Sequence, residues 1–348
     1  MDNKITKRRL SDFLAYEWIL MIVISIVAIV VWELAYTIGA VRLTVGQEFK
    51  FYYDQTIMGD SSVLHDLFED KNTFSYDVLS VSSESLTSEY NVLATRLTVQ
   101  EGDILITDCK GIDDVPENPE DKPKEIRAKT MIDNYYGYSF EQMLADGQKY
   151  LLDTFMKDNS TQSVFDTYNE SNLDQAKIES VFRARMKKDN RFRKESQIKD
   201  GIKLETERVK QLYKELIYFE ELLSHKNDSA YDGLFLKYTK YEQTFNRLDE
   251  NSEDKEYWEK AVQEEKDNGR ENLVYALKVE GLTKHATTEH SNPSKYFTVR
   301  GAEEATAKDV CIMAFNFRSY QPHLQYECIS FINTIVRECS NIYDNVNI

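Results

Sequence analysis

"LATRLTVQEGDILITD", residues 93–108, decides how the chain is read. Leu93 and Leu97, with Thr95, Arg96 and Gln100 between and after them, form the end of an amphipathic helix. Glu101-Gly102-Asp103 interrupts it, and an apolar strand from Ile104 to Thr107 follows, closed by Asp108. A glycine just past the last periodic residue ends a helix, and a helix passing through a short turn into an apolar strand is half of a parallel α/β unit. The acids then have two readings. They occupy a solvated turn, or they flank a strand end that borders a ligand cleft.

Upstream, "FKFYYD" (49–54) reads as a strand, "SVLHDLFED" (62–70) as a helix, "YDVLSVS" (76–82) as a strand and residues 83–100 as a helix. Downstream, "DDVPENPEDKPKE" (113–125) is an acidic, proline-containing surface loop. From 139 to 280 the pattern is mainly helical. Val209, Leu212, Leu216, Phe219 and Leu223 share one helical face, and Tyr231, Leu234, Tyr238, Tyr241, Phe245 and Leu248 repeat the spacing after a polar turn at His225 to Ser229. This predicts an antiparallel helical hairpin whose stripes pack together. The tail returns to α/β: 271–282 as helix or strand, "PSKYFTVRG" as a strand or extended edge, "DVCIMAFNF" (309–317) as a buried strand, and a terminal helix carrying Leu324, Cys328, Phe331, Ile332, Ile335 and Cys339 on one face.

The 348 residues carry a net charge of −17, which excludes nucleic acid as a natural partner. A hydrophobic content of 41% with 12% aromatics describes a folded chain, and 12 Gly with 5 Pro favour helix over a turn-rich all-β design. "WILMIVISIVAIVVWELAYTIGAV", Trp18 to Val41, is the longest apolar run. At 1.5 Å per residue it would cover roughly 36 Å, so it is expected to span a membrane. Lys4, Lys7, Arg8 and Arg9 precede it, which places the N-terminus in the cytoplasm and the remainder outside, anchored in lipid by this helix. The run is long for a signal peptide and lacks a small-x-small cleavage site. Cys109, Cys311, Cys328 and Cys339 are too few and too dispersed for a disulfide scaffold and read as buried small hydrophobes. Cys328 and Cys339, about 16 Å apart along one helix, cannot bridge each other. A link from Cys109 to a distal partner has no support in the sequence.

Leu93, Arg96, Leu97, Gly102, Asp103 and Ile104, with Glu327, Phe331, Ile332, Ile335 and Val336 near the end, give the chain a pattern that resembles the extracellular solute-binding proteins of bacterial ABC transporters. The resemblance implies an α/β, helix-rich, two-lobed exterior domain behind a single N-terminal transmembrane helix. The implied divisions are a basic tail at 1–17, the membrane helix at 18–41, a first α/β portion at 42–130, a helix-rich lobe or insertion at 131–270 and a return to α/β at 271–348. It further implies reversible capture of a small solute such as a sugar between hinged lobes, beside a transporter permease. The alternative is an envelope interaction protein that docks a partner through its helical region and binds no small molecule.

Aromatic faces suit amphipathic solutes, so Tyr53, Tyr135, Tyr136 and Trp258 are candidate ligand platforms, and Asp103 and Asp108 candidate polar contacts at the strand ends. Each has a plainer role as core edge, turn or strand cap. "RARMKKDNRFRK" (183–194) is a basic run in an acidic chain, suited to an anionic partner or to pairing with nearby acids. No phosphate loop, GxGxxG, GxSxG, CxxC or HExxH occurs, so no catalytic residue, metal ligand or cofactor is nominated. His285 and His290 stand five apart, a poor spacing for metal ligands on a helix.

Overall fold

The computed structural model describes residues 7–16, 18–39, 46–54, 56–59, 61–86, 98, 102–110, 126–134, 136–157, 168–302, 304, 306–316 and 326–346. The chain divides into two compact units, Met1–Val45 and Gly46–Ile348. The first holds α1 (Lys7–Tyr16) and α2 (Trp18–Gly39). In α2 the side chains described, those of residues 18–34, are all exposed. Among the described residues no helix is long and apolar enough to cross a membrane, which overturns the expected transmembrane helix at 18–41 and the single-pass anchor drawn from it.

The second unit runs β1 (Glu48–Tyr53), β2 (Ile57–Gly59), α3 (Ser61–Asp70), β3 (Ser80–Ser85), β4 (Ile104–Asp108), α4 (Arg127–Asp133), β5 (Gly137–Tyr138), α5 (Phe140–Phe155), α6 (Gln175–Arg185) and α7 (Glu195–Ser224). It continues through β6 (Phe235–Tyr238), α8 (Glu242–Asn246), α9 (Lys255–Asp267), β7 (Leu273–Lys278), α10 (Val279–Thr283), β8 (Phe297–Val299), β9 (Val310–Phe315) and α11 (Tyr326–Cys339). One mixed sheet, in the order β3-β1-β4-β9-β7-β6 with β5 added to β9, organises it, and β2 and β8 form a separate ribbon. β1 is parallel to β3 and β4, whereas β9 runs antiparallel to β4 and β7. The parallel start expected from the sequence is present. The separate helix-rich lobe is not: β6, β7 and β9 extend the first sheet and residues 46–348 form one compact unit, so the two-lobed architecture is corrected to one unit.

Strand alternation divides the core. Phe49, Phe51, Ile104, Ile106, Ile312 and Ala314 face the layer built by α5, α7 and α11, where Leu212, Leu216, Phe219, Phe331 and Ile335 are buried. Tyr52, Leu105, Cys311, Met313, Leu236 and Tyr238 face the other side, against Ala128, Met131 and Ile132 of α4. Cys109 and Cys311 are joined by a disulfide, with Cα atoms 6.2 Å apart, which ties the end of β4 to β9. Their reading as free buried hydrophobes is thereby corrected, while Cys328 and Cys339 are buried thiols.

The predicted hairpin is half right. Its first stripe lies on the 30-residue α7 and is buried. The second helix does not form, because Gly233 adopts φ +89° and turns the chain, and the buried run after it pairs with β7 as an edge strand. "YDVLSVS" contributes a strand only from Ser80 onward. The helix expected over 83–100 lies largely outside the described residues.

The opening stretch now has a physical account. Gly102 has φ +115°, and a Cβ there would stand 2.4 Å from the Tyr52 ring, so a side chain is excluded twice over. The Asp103 carboxylate accepts the Lys50 amide at 2.9 Å, while its own amide donates to the Lys50 carbonyl at 2.8 Å. Together they lock the start of β4 to β1. This is the N-terminal end of the parallel strands, opposite the edge where ligands of open α/β sheets gather.

Candidate functional site

Six residues were singled out as ligand contacts, and the structure disperses them. Asp103 is buried in the β1–β4 lock. Asp108 closes a turn, accepting the Lys110 amide at 2.6 Å. Tyr53 is core, edge-on to Phe51 at 5.5 Å and packed on Gly59. Tyr136 is half-buried against the second core face, with its amide bonded to the Met131 carbonyl and its carbonyl to the Asn316 amide. Tyr135 lies outside the described residues. Trp258 lines a cleft.

That cleft, about 740 Å³, lies beyond edge strand β6 and is bounded by α9, the β6–α8 turn and the C-terminal end of α4. α9 presents Trp258, Ala261 and Glu265 to it, three to four residues apart and so on one helical face. The Trp258 ring centroid is 5.3 Å from that of Tyr241 and 5.1 Å from that of Tyr257, the latter edge-on, which makes an aromatic corner. Tyr257 is 66% exposed, so one wall of this corner is open to solvent.

The polar side is built around Tyr241, which holds φ +66°. A bulky residue there costs on the order of 1–3 kcal/mol and persists only when its surroundings enforce it. Here Asp133 enforces it. Its carboxylate accepts the Tyr241 amide at 2.5 Å, the Tyr238 hydroxyl at 2.9 and 3.0 Å and the Thr244 hydroxyl at 2.9 Å. Burial raises the Asp133 carboxyl above the ordinary carboxylate range, against the pull of these donors and of the Lys240 charge. Burial, with the nearby Arg270 guanidinium, lowers the Lys240 ammonium, while Glu265 and Asp133 act in the other direction. Arg270 is held by Glu265 through two bonds of 2.8 Å.

Lys240 and Arg270 also line a second cleft of about 570 Å³, whose other walls include Tyr138, Glu141, Asp146, Tyr275 and Asn316. Glu141 accepts from the Val274 amide and from Lys226, and Asp146 from the hydroxyl of Tyr138 and from Gln142. The two clefts meet at one ridge. Sequence reasoning missed Asp133, Lys240, Tyr241 and Arg270, since two of them fell within a stripe read as helix. The "DG" turn at Asp232-Gly233 ahead of an alternating apolar run was the available signal.

The basic run is mostly absorbed internally. Arg183 pairs with Glu179 and Glu195, Arg185 with Asp77 and Glu205, and Arg191 with Asp189 at 2.8 Å. Arg193 bonds the neutral Asn190. Phe182, Met186, Phe192, Lys187 and Arg193 line a shallow groove there of about 590 Å³. Among the described residues no group of three His, Cys, Asp or Glu is placed to hold a metal ion. His285 instead stacks on Tyr231 at 4.2 Å.

No known protein family, curated protein sequence or solved structure matches the chain.

Proposed function

We propose that the unit Gly46–Ile348 is a receptor for a small solute, taken up against the aromatic corner of Tyr241, Tyr257 and Trp258. The observation that carries this reading is the cleft itself: about 740 Å³, an open aromatic platform, and polar groups held in place by a backbone conformation that Asp133 enforces. Clefts of this size with a few fixed polar groups are the usual form of small-molecule sites. The polar groups here hold one another, which supports binding rather than bond-making. Among the described residues β6, β7 and β9 belong to the same sheet as β1 and β4, so capture occurs by stacking and local side-chain adjustment. The Cys109–Cys311 disulfide supports an oxidising, extracytoplasmic setting, where such a receptor would pass its solute to a permease or another envelope protein.

Trp258 supplies its own reporter. The chain has 3 Trp, at 18, 32 and 258, so W18F/W32F leaves one emitting indole at the cleft. Titration of that variant with a panel of sugars, amino acids and organic ions is expected to give a saturable change with one chemical class, lost in Tyr241→Ala. A flat response across the panel with a folded protein refutes the reading.

The groove over Phe182, Met186 and Phe192 favours a second reading, an envelope interaction protein that docks an acidic segment beside Lys187 and Arg193. Reversal of Arg191 would confound its test, because Asp189 and the Tyr76 carbonyl hold that guanidinium inside the fold. Lys187→Glu with Arg193→Glu is the informative pair, and unchanged partner capture from solubilised envelopes would exclude the groove as the contact.

A further inference from the structure

Resting on the cleft reading above, we infer that the solute is an organic ammonium cation, held over the aromatic corner and drawn in by the carboxylates of both clefts. Aromatic rings alone would serve a sugar as well as a cation, so charge decides between them. Asp133, Glu264 and Glu265 line the first cleft. Glu141 and Asp146 line the second. Against these stand two lining cations, Lys240 and Arg270, both on the shared ridge, and Lys226, which is bound to Glu141 at 2.9 Å. Neither lining cation is well placed to receive an anion. Arg270 is doubly bonded to Glu265, and Lys240 lies within the fields of Glu265 and Asp133.

The wider charge distribution has the same sign. The chain carries −17, and the two clefts taken together are lined by five carboxylates against two cations, so the potential there favours an approaching cation. An anionic solute would enter against this potential. A neutral sugar would gain nothing from it.

The corner adds the second element of recognition. An ammonium group gains most when several ring faces surround it, because each face carries the negative lobe of its quadrupole. Tyr241, Tyr257 and Trp258 stand with adjacent centroids 5.3 and 5.1 Å apart, so one alkylammonium headgroup can touch more than one ring. Glu264, exposed on the same helix as Trp258 and within the field of Arg270, supplies a solvent-facing carboxylate at the rim.

The test is isothermal titration of the full chain with choline chloride, its neutral isostere 3,3-dimethyl-1-butanol, glucose and sodium acetate, at matched ionic strength. Choline is expected to bind saturably and at least tenfold more tightly than the isostere. Trp258→Leu should weaken it tenfold or more. Glu264→Gln, on an exposed helix face and so neutral to folding, should weaken it two- to fivefold and flatten its salt dependence. If the isostere matches choline, or if glucose or acetate binds at Trp258 while choline does not, the cation inference falls and the cleft reading stands. Choline binding untouched by both variants places it elsewhere and also overturns the inference. If no probe binds the folded protein, the inference fails, and the broader fluorescence panel then decides whether the cleft reading fails with it.

Discussion

Replacing Glu327 by Gln should stabilise this protein at alkaline pH and leave its stability unchanged near pH 4.5. Glu327 lies at the start of α11, 6% exposed, with Ser75 Oγ donating to it at 2.8 Å. The surrounding cluster holds Arg185, Arg191 and Arg208 against Asp77, Asp189, Glu205 and Glu327, with Arg191 paired to Asp189 at 2.8 Å. Arg208 is committed to Glu205 by two bonds of 3.0 Å, and Arg185 to Asp77 and Glu205. Glu327 is the carboxylate left over, and burial pushes it up from 4.5 to about 7, against the opposing pull of Arg208 and Ser75. A folded value above the unfolded one means that the native state binds the extra proton between those two pH values. The contribution is therefore fully present below about pH 4.5, is lost as pH rises through about 7, and is constant above. At about 1.4 kcal/mol per pH step, the loss is on the order of 3 kcal/mol. His285, lowered by burial, gives the opposite slope below its ordinary 6.5, and Glu215, raised by burial, the same slope, so the difference between wild type and variant isolates Glu327. Urea midpoints at pH 5, 6, 7 and 8 should show the E327Q advantage growing from near zero to on the order of 3 kcal/mol. A constant difference across that range, or a variant less stable at pH 8, would refute the charge count in this cluster.

Three further outcomes follow from particular contacts. Cys109→Ser with Cys311→Ser should lose about 2–4 kcal/mol, and thiol titration of the unreduced, denatured wild type should find Cys328 and Cys339 alone. Gly102→Ala places a methyl 2.4 Å from the Tyr52 ring at φ +115°, so calorimetry should record a loss of at least about 1–3 kcal/mol. Arg208→Leu strips the buried Glu205 of its bidentate partner and should cost about 3–5 kcal/mol, measured by denaturant unfolding at pH 7, with part of the loss recovered at low pH as Glu205 protonates.

Much of the fold was legible residue by residue. The five-residue run Ile104 to Asp108, the apolar run at 310–315 and the stripes on α7 and α11 formed the elements their periods predict, because each carries enough apolar surface to settle its own conformation. The stripe from Tyr231 to Leu248 did not, since helical and strand spacing coincide over so few residues and Gly233 breaks the helix. Trp258 could be named in advance as an aromatic face. Its partners could not, because Asp133, Tyr241 and Arg270 meet it only after three separate elements are folded beside β6.

Local chemistry thus determined that Ile104–Asp108 and Val310–Phe315 are strands, that Glu195–Ser224 and Tyr326–Cys339 are helices and that the molecule is strongly acidic, for those properties depend on composition and on neighbours along the chain. Tertiary structure alone decided that β6, β7 and β9 extend the first sheet instead of building a second lobe, that Cys109 meets Cys311, and that Trp258, Tyr241, Asp133 and Arg270 line one cleft. Each of these joins residues far apart in sequence, and the free energy that selects them comes from surface buried between elements, which no single segment specifies.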